Sequence, residues 1–330
     1  MVGALEKEIR LSFAQRIRGT LPEPYQPLIS EAKEKDTPEF KYNDDRKYFQ
    51  SLVKANTTYE DIGTPYAAQG REVMTLIRKK ASEDEIQPLI TQIQDDAASL
   101  GVDDVLIPST DVYVTAICYI GSKSLSHVLS CIERCKERLL AIGPQSGGAR
   151  RQIITSVMDY WKDQPGIGVN IIDKLLNYTI LTPMSVIEWV LIDHMDGGEI
   201  LTYSHIYEMV STTVFKVTNR VRQIVTARNQ AGLPEPQVKM LDETLERERA
   251  EQGELFKVIE DALVGIAQGS QDEMMENGDG SSGDEALLRG WGERWLRVFR
   301  RKFAVEEAFI NEAVMPSLAE ATNGVDAGVL

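Results

Sequence analysis

The chain has 330 residues and a formal net charge of −15, with 42% hydrophobic and 26% charged residues. This balance is typical of folded proteins and excludes wholesale disorder, while the excess of acids disfavours broad contact with a nucleic-acid backbone. Its apolar runs are too short to cross a bilayer, its first residues lack the apolar core of a secretory signal, and three cysteines cannot build a disulfide framework. The composition therefore predicts a nuclear or cytosolic protein with no membrane partner.

Helical periodicity begins close to the first residue. Apolar side chains recur there every four residues, at Leu5, Ile9, Phe13 and Ile17. The pattern predicts a helix that ends near Gly19. We interpret residues 1–20 as the terminal helix of a preceding helical domain and the polar range 21–62 as a linker. A helix placed this early also predicts that the sequence is a piece of a longer chain.

From residue 63 onward the pattern predicts short helices joined by short loops. Thr64-Pro65 is typical of a helix start, and Ser82 with Glu85 forms a capping box before the next helix. Further helices are predicted at 109–121, 124–142, 149–163, 168–180 and 183–194. The run Asp111–Ile120 is rich in β-prone residues, but it is isolated and is interpreted as a helix. Together these segments predict an all-α fold, an antiparallel, HEAT-like helical-repeat solenoid.

Two longer helices follow, at 203–231 and 237–267, with Gly232–Pro236 between them. Both carry apolar residues at spacings typical of helix pairing. The end of the first arm is basic, whereas residues 237–254 carry more acids than bases. We therefore predict an antiparallel helical hairpin, 203–267, with complementary charge on its arms.

The last part of the chain combines a polar stretch with a sharply amphipathic helix. Residues 268–285 are rich in glycine, serine and acids, which predicts a flexible linker. A final helix is predicted at about 286–315, ending at Pro316, and it carries Trp291, Trp295, Phe299 and Phe303 beside several arginines. Such a helix could bind a membrane surface or a calmodulin-like groove, but we favour a cap on the helical stack. Residues 63–330 would then form one domain.

Candidate chemistry is sparse. His127, Cys131 and Cys135 share a helix face, but their spacing covers about 12 Å, too long for three ligands of one zinc ion. Gly143–Gly148 has the glycine spacing of a phosphate-binding loop but lacks its lysine. His194 and His205 flank a Gly-Gly turn, which leaves acid–base chemistry open as an alternative to an ordinary loop. The sequence predicts no catalytic residue, no cofactor and no metal site.

A series of segments resembles one family in collinear order. The segments are Arg10–Ile17, Gly121–His127, Trp161–Pro165, Val169–Leu176 and Ser185–Trp189. In this order they resemble the large subunit of the nuclear cap-binding complex, with a fungal-like sequence, over nearly the whole chain. The resemblance implies the C-terminal part of that subunit: the end of its second helical domain and all of its third, each similar to the middle domain of initiation factor 4G. The hairpin is shorter than the family's, and the basic-acidic tip is replaced by Gly232–Pro236.

The family's role is implied by the same resemblance. The large subunit has no catalytic activity and holds a small RNA-recognition-motif subunit, which binds the 5′ cap of RNA. The complex acts in the nucleus, shuttles to the cytoplasm, and supports processing, splicing, export and decay of transcripts through adaptor proteins. The alternative is a generic α-solenoid scaffold of translation or trafficking that binds a different partner.

The small subunit is expected to contact the first helix. In the family it lies against the second and third domains, and here the first helix carries several arginines in an otherwise acidic chain. Arginine is enriched at recognition surfaces. The predicted partner-binding residues are Ser12, Phe13, Arg16 and Arg18.

Overall fold

The computed structural model describes residues 65–268 and 282–323, and every regular element in these two ranges is a helix. The all-α prediction is therefore confirmed, including the β-prone run after Asp111. Within the described ranges no helix combines the length and the apolar character needed to span a membrane. The predicted terminal helix 1–20 and linker 21–62 lie outside these ranges, as does most of the linker 268–285, so these domain boundaries stay predictions.

Eleven α-helices make up the described ranges. They are α1 Ala67–Lys79, α2 Glu83–Ser99, α3 Leu106–Gly121, α4 Leu125–Arg134, α5 Lys136–Ile142, α6 Gly147–Tyr160, α7 Pro165–Asn177, α8 Pro183–Glu188, α9 Ser204–Arg228, α10 Glu235–Gln268 and α11 Ser282–Asn323. A π-helical turn, Trp189–Asp193, and a 3-10 segment, Asp196–Thr202, join α8 to α9. The chain forms two compact units, and the boundaries between them fall within or beside α5, α6 and α7.

In the first unit, α1, α2 and α4 pack against α3. Nearly all side chains from Val112 to Cys118 are buried, so α3 is a core helix covered on most sides. This explains why a run rich in valine and tyrosine folds as a helix, because burial against neighbouring helices outweighs a modest strand preference.

The helix starts of this unit differ in how well the sequence predicts them. At α2 the predicted capping box is present, with the Ser82 backbone N–H donating to Glu85 Oε2 at 2.8 Å. At α1 the prediction of a start at Pro65 is wrong, since the helix begins at Ala67 after Tyr66 in the left-handed conformation, φ 63°. A tyrosine in that conformation is uncommon, and no sequence pattern indicates it.

The second unit contains a bundle of three long helices. The α9 and α10 helices run antiparallel and meet at a turn that contains Gly232, φ 81°. The predicted hairpin is therefore confirmed, although its second helix begins at Glu235, inside the range assigned to the turn. The bundle core consists of buried side chains from all three helices, Val221, Ile224, Val225, Leu245 and Ile310. Ile310 lies in α11, so the two helices of the hairpin and α11 share one core.

The third helix, α11, is longer than predicted at both ends. It begins at Ser282, within the range assigned to the linker, and continues beyond Pro316 to Asn323. The prediction that proline ends the helix is therefore wrong here. Proline removes one backbone hydrogen bond and strains the preceding turn, but it does not prevent a long helix from continuing.

Ion pairs hold the three helices together in a pattern that differs in part from the prediction. Across the hairpin Arg228 Nε lies 2.9 Å from Asp242 Oδ1. Arg222 Nε instead contacts Glu306 Oε2 of α11 at 2.6 Å. Lys216 Nζ contacts Asp173 Oδ1 of α7 at 3.0 Å. The basic residues of α9 thus form ion pairs with three helices, α7, α10 and α11.

Candidate functional site

The predicted partner-binding residues, Ser12, Phe13, Arg16 and Arg18, lie outside the described residues. Their role therefore stays a prediction. The other candidate positions named in the sequence lie in described ranges, and the structure gives each of them a local partner.

His127 and Cys131 of α4, and Cys135 just after that helix, have different surroundings. His127 is exposed, and its Nδ1 lies 2.7 Å from the Ser124 hydroxyl. Cys131 and Cys135 are buried, as is Cys118 of α3. Burial raises the pKa of Cys118 to about 12. Because zinc binds the thiolate, a buried and protonated thiol of this kind is a packing residue and not a ready metal ligand.

The two histidines beside the Gly-Gly turn are also engaged locally. His194 Nδ1 lies 2.8 Å from the Trp189 carbonyl oxygen, and its ring stacks on the Trp189 ring with centroids 4.2 Å apart. The ring of His205 lies 5.6 Å from that of Tyr203. Each imidazole therefore rests on its own aromatic neighbour. The arrangement is that of a packed helix connection, and it does not support the alternative of acid–base chemistry at this loop.

In the glycine-rich segment that leads into α6, Gly143 lies against an arginine side chain. A Cβ atom added to Gly143 would collide with the Arg150 guanidinium group. The loop is closed by Ser146, whose hydroxyl accepts a hydrogen bond of 2.9 Å from the Ala149 backbone N–H. An alanine at Gly143 would therefore require the Arg150 guanidinium group to move.

The residues that carry the family resemblance mostly shape the fold. A Cβ atom on Gly121 would collide with the backbone of Val128, so glycine lets α3 and α4 approach closely. Ser124 caps α4 by accepting a hydrogen bond from the His127 backbone N–H. Trp161 and Trp189 are buried. The resemblance therefore rests on residues that specify how the helices meet, which relatives can share without sharing a binding site.

One surface was not singled out by the sequence. Along the boundary of α9 and α11, four large apolar or aromatic side chains are exposed, Tyr207, Phe215, Val298 and Val305. Sequence reasoning found the opposite, buried side of α11, where Trp295 and Phe299 are almost fully covered. The prediction that these aromatic residues cap the helices is supported by that burial. The exposed residues could have been found by noting a second apolar row on the same helix.

Comparison with known proteins gives a consistent family. The sequence model described as MIF4G like matches residues 58–308. The chain is 24% identical to nuclear cap-binding protein subunit 1 of Schizosaccharomyces pombe over 231 residues, which cover 69% of this chain and 26% of that protein. It is 24% identical to the protein of the same name from Anopheles gambiae over 231 residues, again 69% of this chain and 26% of the relative. It is 23% identical to nuclear cap-binding protein subunit 1-A of Xenopus laevis over 283 residues, 77% of this chain and 33% of the relative.

The relatives and the family model differ in how much of their length this chain matches. The chain spans only about a quarter to a third of the length of these relatives. The family match, in contrast, takes in most of the described helices, from α1 to residue 308 within α11. The chain therefore belongs to the MIF4G-like family, and with that family it is a non-catalytic helical scaffold and not an enzyme.

Proposed function

We propose that the chain is the C-terminal part of the large subunit of a nuclear cap-binding complex, where it holds the small RNA-recognition-motif subunit that binds the 5′ cap. The observation that carries this proposal is the agreement between two comparisons. The family match extends over residues 58–308, and relatives from a yeast, an insect and a frog share the name nuclear cap-binding protein subunit 1.

The charge of the chain supports a role in which another subunit contacts the RNA. With a net charge of −15, the chain repels a phosphate backbone on average. The α10 helix adds exposed acids on the bundle, and three of its other acids, Asp242, Glu248 and Glu260, pair with arginines of the bundle. A scaffold of this charge would leave the cap and the RNA to its partner.

The partner-binding surface is proposed to include the predicted helix at residues 1–20, through Ser12, Phe13, Arg16 and Arg18. This helix carries an apolar stripe that must be covered by protein if it is not to face water. Its arginines stand in a chain that is acidic overall, which makes them suited to fixing the orientation of a partner.

Co-purification with the small subunit tests the proposal. The full chain and a tagged small subunit should co-elute as a complex on size exclusion. The double variant Arg16→Glu/Arg18→Glu should weaken binding by about 2–4 kcal/mol if the two guanidinium groups are desolvated in the interface. As a control of equal charge change, Lys239→Glu/Arg247→Glu alters two exposed positions of α10 and should leave the affinity unchanged.

Two negative results have different meanings. Unchanged affinity in Arg16→Glu/Arg18→Glu, with the helical circular dichroism intact, would remove the first helix from the interface but keep the function. Failure of the unaltered chain to bind the small subunit would favour a generic scaffold with another partner.

The wider roles follow from the same proposal. As part of a cap-binding complex the chain would reside in the nucleus and shuttle to the cytoplasm with its RNA. It would support splicing and other processing, export and nonsense-mediated decay by presenting a surface to adaptor proteins. Depletion of the parent protein should then lower the nuclear export of capped transcripts, which fluorescence in situ hybridisation would measure.

A further inference from the structure

The α11 helix has a second ordered row of side chains besides the one buried in the bundle. Side chains at intervals of three, four and seven residues share one side of a helix. Exposed residues at these intervals alternate between apolar and basic, namely Leu287, Arg294, Val298, Arg301 and Val305. This row borders the buried side formed by Trp295 and Phe299, so it lies at the edge of the bundle and not at its centre.

The α9 helix continues this row with aromatic side chains. Tyr207 meets Trp295 edge to face with ring centroids 5.2 Å apart, while Tyr207 itself is 39% exposed. Phe215 is 58% exposed, and Lys302 Nζ lies 5.8 Å from the centre of its ring. We call Tyr207, Phe215, Leu287, Val298 and Val305 with Arg294, Arg301 and Lys302 the α9–α11 surface.

The two exposed arginines of this surface differ from the arginines that pair with carboxylates elsewhere in the bundle. Among the described residues Arg301 has no ion-pair partner, and Arg294 rests on the ring of Trp291 at 4.9 Å. Glu306, a carboxylate of the same helix, is buried and bonded to Arg222 at 2.6 Å. A basic and apolar surface thus stands out on a chain whose net charge is −15.

We propose that the α9–α11 surface docks an acidic amphipathic helix of a partner protein. Apolar side chains of that helix would cover Phe215, Val298 and Val305, and its flanking carboxylates would pair with Arg294 and Arg301. Charge complementarity is the reason for this choice, because exposed apolar rows flanked by exposed arginines match a partner of the opposite charge.

Other occupants fit the surface less well. A second copy placed symmetrically would bring arginine against arginine. The predicted helix at residues 1–20 has the wrong charge, since it carries Arg10, Arg16 and Arg18. Nucleic acid would satisfy the arginines but leave the aliphatic side chains of Val298 and Val305 uncovered. The proposal does not depend on the function proposed above, since it uses different residues.

Fluorescence anisotropy with a defined probe tests the proposal. The probe is a fluorescein-labelled helical peptide of about 21 residues with leucine at heptad positions a and d and glutamate at e and g. The full chain should bind it, and both Val298→Glu/Val305→Glu and Arg294→Glu/Arg301→Glu should weaken binding at least about tenfold. Two control variants, Met240→Glu and Arg247→Glu, change exposed residues of α10. Their affinity for the probe should stay within about twofold of that of the unaltered chain.

Three further probes decide what the surface recognises. A peptide with serine in place of the leucines, a peptide with lysine in place of the glutamates and a single-stranded RNA should each bind much more weakly. Equal binding by the RNA, or equal binding by all α9–α11 variants, would overturn the proposal. So would a dimer of the chain that Val298→Glu/Val305→Glu dissociates in sedimentation. If that variant loses its helical circular dichroism, the arginine variant decides alone, because both of its side chains are exposed.

Discussion

At the scale of single residues, the last residue of α3 limits how α4 can be placed. Gly121 lies so close to the Val128 backbone that an added Cβ atom would have to displace α4 or α3. This restriction does not depend on an unusual backbone conformation, because the φ angle of Gly121 is not positive. The steric fit alone requires glycine here, in the middle of one of the segments that carry the family resemblance.

A Gly121→Ala substitution should therefore destabilise the first unit. We expect a loss of about 1–3 kcal/mol in the free energy of unfolding, because the clash involves backbone atoms that cannot rotate away. The measurement is the midpoint of urea unfolding. The matched control is Gly166→Ala, at a position in α7 where an added Cβ meets no atom within 4 Å. Equal stability of Gly121→Ala and the unaltered chain would contradict the packing described for α3 and α4.

The buried thiol of Cys118 predicts a loss of stability in alkali. Its pKa is raised from 9.0 to about 12 by burial, so between these values the unfolded chain has released the proton and the folded chain retains it. The unfolded state then binds fewer protons, and the free energy of unfolding falls as the pH rises, by about 1.4 kcal/mol per pH unit for one such group. Burial of Cys135 and Tyr113 acts in the same direction.

Urea unfolding at pH 8 to pH 10 measures this dependence. The Cys118→Ala variant should be less stable at neutral pH but lose less stability on going to alkali. An Ile117→Val variant, altered at the neighbouring buried position, controls for packing and should keep the slope of the unaltered chain. If the free energy of unfolding falls with pH as steeply in Cys118→Ala as in Ile117→Val, the Cys118 thiol does not contribute to the loss of stability in alkali.

At the scale of elements, the hairpin of α9 and α10 depends on α11. Ile310 of α11 is almost fully buried in the bundle core beside Val221 and Leu245. Aromatic contacts extend the seam, with the Phe256 and Phe303 rings 4.9 Å apart. The side chain of Asn229, at the end of α9, donates a hydrogen bond of 3.0 Å to the Ala313 carbonyl oxygen. The third helix thus covers the apolar sides that the two arms of the hairpin leave open.

An Ile310→Ala substitution should consequently destabilise the bundle although it lies outside the hairpin. Removing a buried isoleucine side chain costs about 2–5 kcal/mol. On the same helix Val305→Ala changes a side chain that is 53% exposed, and it should cost less than about 0.5 kcal/mol. Hydrogen exchange should show faster exchange across α9 and α10 in Ile310→Ala. If exchange rises in α11 alone, the hairpin is independent of the third helix.

The sequence predicts local patterns well and longer-range partners poorly. The capping box at Ser82 and the turn at Gly232 depend on neighbouring residues, and both are present. Complementary charge on the hairpin arms is present in the pairs of Arg228 with Asp242 and Arg220 with Glu248. The partners of Arg222 and Lys216 lie in other helices, and the sequence does not indicate them, because they depend on which helices meet. The predicted site at Ser12, Phe13, Arg16 and Arg18 could not be compared with contacts, because it lies outside the described residues.

At the scale of the whole molecule, the chain combines an acidic average charge with a basic segment of α11 at residues 289–302. The acidic average disfavours direct contact with RNA, and the family is non-catalytic. Our account therefore predicts that any association with capped RNA is made through a second subunit and disappears without it.

Retention on an immobilised cap analogue tests this claim most directly. The purified chain is applied to the resin alone, with the small RNA-recognition-motif subunit, and with that subunit plus free cap analogue as competitor. We predict that the chain passes through when alone, is retained at about equal molar ratio with the small subunit, and is released by the competitor. Passage of the chain while the small subunit stays on the resin, or retention of the chain alone, would contradict the proposed scaffold role.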